Sequence, residues 1–183
     1  MSLGVPEGKL IMVDYDPAWK KYGEDMVNTL KEVMTNAVDI RHVGSSAVEG
    51  MYGKPMIDVA VGVRELDDVL EYVDELEKRG IHYVGEYLKD HREFYMNDPE
   101  TGYKAYHIHC VIYNETFWKR YTYITEYLQE FSNARDAYSY VKKGLALVYA
   151  DRPDHYGPAK KYFVDDIMLA AFDWKGDILL GEY

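Results

Sequence analysis

Residues 41–58, RHVGSSAVEGMYGKPMID, join two apolar stretches through a loop that contains two glycines, Gly50 and Gly53. The first stretch, 38–44, alternates apolar and polar residues as a strand does. The second, 55–63, is apolar on both faces except at Asp58, which is typical of a strand in the interior of a sheet. The sequence therefore predicts two strands joined by a glycine-rich loop, with one carboxylate inside the sheet.

The rest of the chain predicts an α+β fold. We expect a mixed, largely antiparallel sheet with helices on one face and a helical C-terminal part. Further strands are expected at 9–16, 81–88, 92–98 and 105–114, and the turns between the last three indicate antiparallel pairing. Helices are expected at 18–36, 65–79, 115–131, 133–150 and 157–173, with 151–158 as the connection before the last one. The buried stripe of the second helix is expected to be Val69, Leu70, Val73 and Leu76.

The length of 183 residues fits one domain. We expect a leader or tag-like segment over 1–8 and a single domain over 9–183. Within it, the sheet core is expected at 9–114 and the C-terminal helices at 115–174. The N-terminus has no basic region followed by an apolar stretch, and no apolar run approaches the roughly 18 residues of a membrane helix. A cytoplasmic protein without a membrane partner is therefore expected.

The charge of the chain limits its partners. A net charge of −11 argues against nucleic acid, because binding to the phosphate backbone depends on many cationic side chains. A local basic pocket for a small phosphate compound is compatible with this charge. Cys110 is the lone cysteine, so the sequence offers neither a disulfide nor a thiolate metal site. The oligomeric state is left open.

Three side chains on two predicted strands carry the strongest chemical signal. His107 and His109 are two positions apart on a strand, so their imidazoles point to the same face. Two neighbouring imidazoles can bind a metal ion or a phosphate, or move protons. Asp58 needs a cation or hydrogen-bond donors if it is buried. A structural interpretation stays open, in which Asp58 accepts hydrogen bonds from loop amides and the histidines are packed.

Gly44 and Ser45 follow the first of the two strands, where close backbone approach, amides and hydroxyls suit a phosphate group. The same pair also occurs in ordinary turns. The sequence contains neither the Gly-x-Ser-x-Gly of a hydrolase nor the Gly-Lys-Ser/Thr of a phosphate-binding loop. Lys54, Arg92 and Lys160 are candidate counter-charges if they converge on one pocket, and surface charges if they do not.

The order of these motifs resembles that of the GrpB family, small bacterial proteins with a nucleotidyltransferase-like fold. The resemblance covers about residues 10–174, and its matching residues follow one another in the family's order. They are His42–Val48, Lys54–Asp58, Gly85 with Glu86, Arg92 with Phe94, His107 with His109, and Tyr156, Lys160 and Phe163. The resemblance implies a sheet of the nucleotidyltransferase type.

The resemblance also implies a phosphate-binding loop beside a metal centre. Asp58, His107 and His109 are the expected catalytic residues and metal ligands, with Glu86 as a further ligand. The residues expected to contact a phosphate or nucleotide are His42, Gly44, Ser45, Ser46, Lys54, Arg92 and Lys160.

The ligands expected at this metal site differ from those of a typical nucleotidyltransferase. Nucleotidyltransferases hold Mg²⁺ with paired carboxylates, and Ala60 stands where the second carboxylate is expected. One carboxylate with two imidazoles suits Mn²⁺, Zn²⁺, Fe²⁺ or Ni²⁺ better than Mg²⁺. The expected cofactor is therefore a divalent metal, with Mn²⁺, Zn²⁺ and Mg²⁺ as the candidates.

Three functions follow from the resemblance. The first is a metal-dependent nucleotidyl or phosphoryl transferase that acts on a small nucleotide and an unknown acceptor. The alternatives are a metal-dependent phosphoesterase and a non-catalytic protein that binds a nucleotide or a phosphorylated metabolite. The family often has Phe-Arg-Asp…Leu-Arg in the helix after the His-x-His strand, where this chain has YITEYLQ at 123–129. Contacts from those arginines to phosphate or acceptor are therefore not expected here.

Overall fold

A computed structural model describes residues 3–88 and 90–179, apart from the side chains of residues 87 and 88. Its described residues form one five-stranded sheet in the order β1-β2-β5-β4-β3. The strands are β1 (Asp39–Val43), β2 (Ile57–Val63), β3 (Ile81–Leu88), β4 (His91–Asn97) and β5 (Lys104–Ile112). Strands β2 and β5 run parallel, and the other neighbouring pairs run antiparallel. The predicted α+β class and the mixed, largely antiparallel sheet are confirmed.

Helices cover the two faces of this sheet. They are α1 (Ala18–Val33), α2 (Val73–Lys78), α3 (Thr116–Glu130), α4 (Ser132–Val148) and α5 (Pro153–Trp174). Helices α1 and α2 pack on one face, α3 packs on the other, and α4 and α5 pack on α3. None of the helices in the described part of the chain is long and apolar enough to cross a lipid bilayer.

Alternation along β2 divides the core between the two faces. Ile57, Val59 and Val61 point toward α1 and join the larger apolar cluster, where Trp19 and Phe94 are fully buried. The residues between them point toward α3, where Ala60 packs near Trp118. Asp58 lies on this α3 side, so the sheet carries its polar residues on the face that the C-terminal helices cover.

The N-terminal segment 9–16 is not the strand that its apolar pattern predicts. Within this segment only Val13 forms a β-bridge, with Gly53 in the loop before β2. The end of the segment instead contacts the first turn of α1. The Asp16 carboxylate accepts a hydrogen bond of 2.9 Å from the Ala18 N–H.

The predicted helix 65–79 forms in two pieces, a 3₁₀ helix at Leu66–Tyr72 followed by α2. A 3₁₀ helix has three residues per turn, so Leu66, Val69 and Tyr72 share the face that packs on the sheet. This geometry turns Leu70 outward, and it is 46% exposed. The prediction that Leu70 belongs to the buried stripe was wrong, because it assumed an α-helical period throughout.

The last helix begins earlier than its predicted start at 157. Proline suits the first position of a helix, because it lacks an N–H that would have no partner there and its φ is already helical. Helix α5 accordingly starts at Pro153 and contains Pro158, so the connection predicted over 151–158 is much shorter.

Candidate functional site

The parallel pairing of β2 with β5 brings the three sequence-predicted ligands together. Asp58 is in register with His107, and Ala60 is in register with His109, so all these side chains project from one face. The Asp58 Oδ1 atom lies 3.9 Å from Nδ1 of His107 and 3.8 Å from Nε2 of His109. An imidazole on β5 therefore lies beside the position on β2 where a second carboxylate is missing.

A fourth member of this group, Glu93, was missed by the sequence interpretation. It lies on β4 in register with His109, and only 5% of it is exposed. Its carboxylate approaches Nε2 of His107 to 3.0 Å and Nδ1 of His109 to 3.4 Å. Part of the signal was available, because Glu93 lies in the predicted strand 92–98 and His91, just before that strand, is two positions away as the two histidines of β5 are.

His91 and Tyr121 complete the inner side of the cluster. His91 Nε2 lies 3.2 Å from His109 Nδ1, so the two rings share a hydrogen bond whose direction depends on the tautomer. The Tyr121 hydroxyl lies 3.2 Å from the same His109 nitrogen, and its ring stacks on His109 at a centroid distance of 4.6 Å. Helix α3 thus closes the cluster from above the sheet.

Charge in the cluster is shared between two carboxylates and the imidazoles between them. Burial opposes ionisation of Asp58 and of Glu93, but hydrogen bonds and the positive charge of His109 and His107 outweigh it and lower the pKa of both carboxyls. Burial likewise opposes protonation of His109, yet its contacts with Asp58 and Glu93 raise its pKa above the ordinary value. Burial and the neighbouring His109 lower the pKa of His91 to about 4.

The donor atoms around Asp58 fit a divalent transition metal ion. Carboxylate oxygens and imidazole nitrogens lie about 2.1 Å from zinc in a tetrahedron, which sets neighbouring ligand atoms about 3.4 Å apart. The Asp58 oxygen is 3.8 to 3.9 Å from its two nitrogen neighbours, so small side-chain movements suffice to ligate one ion. The mixed nitrogen and oxygen donors suit Zn²⁺ or Mn²⁺ rather than Mg²⁺.

The glycine-serine loop lies directly against Asp58. Gly44 has φ of 74° and ψ of −166°, a conformation that only glycine adopts readily. A Cβ atom at this position would lie 2.8 Å from Asp58 Oδ2. The Gly44 N–H donates a 2.9 Å hydrogen bond to the Thr125 hydroxyl of α3. The loop is therefore fixed against the carboxylate from both sides.

Two adjoining cavities open from this loop and share cationic side chains. The larger, of about 430 Å³, is lined by Gly44, Ser45 and Asp58 together with Arg120, Lys160 and Lys161, and its other side is apolar. The smaller, of about 220 Å³, also contains Ser45, Asp58 and Lys160 and adds Lys54, His107 and Lys142. A chain of net charge −11 thus gathers positive charge around one carboxylate.

Lys142 and Arg120 are cavity residues that the sequence interpretation missed. Lys142 is 2% exposed, donates a 2.9 Å hydrogen bond to the Ser45 hydroxyl, and lies over the Tyr138 ring. Burial lowers its pKa to about 7, with repulsion from Lys160 as the smaller cause. Arg120 lies in α3 one turn before the segment 123–129, so this helix does supply an arginine to the cavity.

Four of the predicted site residues do not reach these cavities. Arg92 lies on the opposite face of the sheet, where it pairs with Asp67 at 3.3 Å and with Glu86 at 3.5 Å. Glu86 stands on β3, which β4 and β5 separate from β2. His42 faces α1 and shares a 3.0 Å hydrogen bond with the buried hydroxyl of Ser46. Of the predicted set, Gly44, Ser45, Lys54, Asp58, His107 and Lys160 line the cavities, and His109 adjoins them through its contact with Asp58.

Comparisons with known proteins agree on the family and on the fold. The family model of GrpB protein matches residues 9–169. The Glutamate-rich protein GrpB of Alkalihalophilus pseudofirmus is 31% identical over 170 residues, which cover 91% of this chain and 98% of that protein. The crystal structure of conserved protein GrpB from Enterococcus faecalis has a TM-score of 0.82 at 29% identity and covers 91% of this chain and 100% of that one.

More distant structures place the fold among nucleotidyltransferases. The Cid1 poly(U) polymerase with bound MgGTP has a TM-score of 0.54 at 13% identity, over 73% of this chain and 44% of that one. Cid1 in complex with its short product ApU gives a TM-score of 0.53. The predicted sheet of the nucleotidyltransferase type is thereby confirmed, and the likeness concerns the fold alone.

Proposed function

This chain belongs to the GrpB family, and we propose that it is a metal-dependent transferase that moves a nucleotidyl or phosphoryl group from a small nucleotide. The observation that carries the proposal is the convergence of Asp58, His107 and His109, with Asp58 and His107 on the wall of a cationic cavity. Solved neighbours of the same fold include a polymerase with bound MgGTP. A metal centre beside a phosphate-sized cationic pocket is what such a transfer requires.

Phosphates of the substrate would lie between the glycine-serine loop and the lysines. The Ser45 hydroxyl and the ammonium groups of Lys142 and Lys160 offer hydrogen bonds and counter-charge on the side of Asp58. Arg120 adds a guanidinium from α3 at the larger cavity. The apolar side of that cavity has room for a base or another flat group against Tyr138.

The carboxylate and imidazoles would hold a divalent ion and manage protons. When bound, such an ion polarises the phosphoryl oxygens and favours deprotonation of an attacking hydroxyl. Asp58 supplies the anionic ligand, and His107 and His109 supply neutral nitrogens once they are deprotonated. Glu93 keeps both imidazoles in place through its contacts on their far side.

A non-catalytic role is the second candidate, and Ala60 is the observation that favours it. Paired carboxylates hold two ions in transfer chemistry, and Ala60 on β2 has no ligand atom. The cationic cavities would then bind a nucleotide or phosphorylated metabolite without turning it over.

Turnover and binding separate the two candidates. The wild-type protein is incubated with each of the four nucleoside triphosphates, Mn²⁺ or Zn²⁺, and a pool of small hydroxyl and amine acceptors. The products are followed by mass spectrometry. A transferase gives a modified acceptor and the Asp58→Asn variant does not, whereas Asp67→Asn, on the opposite face, retains wild-type turnover.

Calorimetry measures triphosphate binding by the same three proteins, which are wild type, Asp58→Asn and Asp67→Asn. Triphosphate binding without any turnover establishes the binding protein and removes the transferase. Nucleoside monophosphate released without an acceptor establishes a phosphoesterase instead. Absence of binding and of turnover removes both proposed functions.

A further inference from the structure

A second set of ligand atoms surrounds one point on the inner side of His109. His109 Nδ1 lies 3.2 Å from His91 Nε2 and 3.4 Å from Glu93 Oε1, and the latter two atoms are 3.9 Å apart. The Tyr121 hydroxyl lies 3.2 Å from His109 Nδ1 and 3.4 Å from His91 Nε2. This set differs from the open site at Asp58, which faces the other nitrogen of His109, Nε2.

The separations match those of a tetrahedral metal centre. Ligand atoms about 2.1 Å from a zinc ion are about 3.4 Å from one another. The five measured separations span 3.2 to 3.9 Å, with four of them between 3.2 and 3.4 Å. Two imidazoles, a carboxylate and a phenol form a donor set that suits a borderline divalent ion such as Zn²⁺.

The burial of this set also calls for a cation. His91 is 2% exposed, Glu93 is 5% exposed and His109 is 6% exposed. A carboxylate taken out of water needs compensating positive charge. Among the described residues, the ion pairs of Glu93 are with histidines alone, and no lysine or arginine pairs with it. A divalent ion at the centre would supply that charge.

We propose that His91, Glu93, His109 and Tyr121 bind a structural zinc-type ion that is separate from the ion of the open site. Four protein ligands leave no position for a substrate, which distinguishes a structural site from a catalytic one. Three of the four are buried, and Tyr121 is half-buried at the wall of the larger cavity. The ion would fasten helix α3 to strands β4 and β5. This proposal does not require the transferase activity.

His109 connects the two sites through its ring. Nδ1 of His109 would serve the buried site and Nε2 would serve the open site. A nitrogen that ligates a metal carries no proton, so loading both sites would release both N–H protons of the ring to the solvent. Loading of zinc therefore releases protons, which an unbuffered titration with a pH indicator records.

The test measures metal content in proteins that lack the open site. Wild-type, Asp58→Asn and Asp58→Asn/Glu93→Gln proteins are stripped with a chelator, dialysed against Zn²⁺ or Co²⁺, and assayed by atomic emission. Asp58→Asn is expected to retain one ion per chain, and its Co²⁺ form to show the strong visible absorption of a tetrahedral centre. The double variant is expected to retain none.

Further variants keep the test decisive when a buried substitution unfolds the chain. Tyr121→Phe removes one ligand from the rim, and it is expected to weaken Zn²⁺ binding and to change the Co²⁺ spectrum. His82→Gln and Glu86→Gln, both outside the cluster, serve as controls and are expected to retain the ion. Zinc is also expected to raise the thermal midpoint of Asp58→Asn.

Two results overturn the proposal. One is a folded Asp58→Asn protein that retains no ion. The other is an ion whose binding and spectrum survive Glu93→Gln and Tyr121→Phe unchanged. Failure of the proposed transferase is a different result, because it leaves turnover absent while Asp58→Asn still binds its ion.

Discussion

His109 lies between two carboxylates, with Asp58 on the side of Nε2 and Glu93 on the side of Nδ1. The pKa of the imidazole is raised although burial opposes its protonation, because both acidic neighbours stabilise the charged ring. A metal ion binds only the unprotonated nitrogens of the ring, so metal affinity is expected to rise with pH.

The backbone at Gly44 gives a prediction about a single methyl group. Gly44→Ala adds a Cβ atom 2.8 Å from Asp58 Oδ2 in a backbone conformation that only glycine adopts readily. We expect it to lower the free energy of unfolding by about 3 kcal/mol, from strain and overpacking together. Urea denaturation measures the change.

Gly50→Ala is the matched control for this experiment. Gly50 also has a positive φ, of 79°, but no heavy atom lies within 4 Å of its added Cβ. Its loss of stability is expected to be about 1 kcal/mol, from the backbone alone. Equal losses in the two variants would contradict the role that we assign to the contact with Asp58.

Lys142 predicts how stability depends on pH. Its folded pKa of about 7 lies below the ordinary lysine value of about 10.4, so the unfolded chain binds more protons between these limits. The stability contributed by neutral Lys142 is therefore full above pH 10.4 and is lost as the pH falls through 7. Relative to Lys142→Met, wild-type stability is expected to rise by up to about 1.4 kcal/mol per pH unit across this range.

The measurement is chemical denaturation at several pH values from 7 to 10, with Lys143→Met as the control. Lys143 is half exposed and pairs with Asp14 at 3.0 Å, so its removal is expected to leave the pH dependence unchanged. A stability difference between wild type and Lys142→Met that does not vary with pH would refute the depressed pKa.

Sequence alone reached part of this site. Alternation on a strand predicted that His107 and His109 share a face, and the structure places both beside Asp58. Alternation related Glu93 to His91 but could not place Glu93 beside His109, and no pattern pointed to Lys142. Pairing of β4 with β5 and docking of α4 are long-range contacts. The sequence interpretation placed Arg92 in the pocket because of the order of the motifs. Motif order does not show which face of a strand a residue occupies.

At the scale of elements, helix α1 approaches the sheet closely because it carries a glycine. A Cβ atom at Gly23 would lie 2.1 Å from the His42 ring. Gly23→Ala is expected to destabilise the fold by about 2 kcal/mol, although alanine favours a helix. Gly144→Ala in α4, where nothing lies within 4 Å of the new atom, is expected to stabilise by up to about 1 kcal/mol.

Thermal and urea denaturation of these two alanine variants decide this point. If both variants gain stability, the contact between α1 and His42 does not limit the packing of the helix on the sheet. If Gly23→Ala loses stability and Gly144→Ala gains it, the contact between α1 and His42 does limit this packing.

The predicted elements agree best with the structure where one hydrophobic period runs throughout. Helices α1, α3 and α4 and the strands after residue 38 lie close to their predicted bounds. The prediction failed at Leu66–Tyr72, where the period changes to three, and at 9–16, where apolar residues pack without a partner strand. The local sequence pattern could not have predicted either difference, because the structure of each segment depends on what it packs against.

At the scale of the whole molecule, the net charge of the chain limits the size of the anion that it can bind. The solved neighbours include a poly(U) polymerase and its complex with ApU, yet a net charge of −11 opposes binding to a long polyanion. We expect a labelled single-stranded uridine oligomer not to bind at physiological salt, as measured by fluorescence anisotropy. A nucleoside triphosphate with Mn²⁺ is the positive control.

The outcome that would contradict this expectation is oligomer binding that weakens steeply as salt is raised. Such a dependence would mean that the chain neutralises several phosphates along a strand. Replacement of Lys160 by Met would then show whether the oligomer enters the same cavity as the triphosphate.

The parallel pairing of β2 with β5 joins two parts of the sheet that are each paired between strands near in sequence, so we expect this pairing to form last. Strands β3, β4 and β5 follow one another as antiparallel neighbours, so they can form from nearby residues, and β1 and β2 form a second local pair. Asp58 meets His107 only when these two halves dock, across a long intervening stretch of chain. The site is thus absent from each half and appears at the docking step, which makes metal-induced protection of β2 and β5 amides from hydrogen exchange a direct reporter of complete folding.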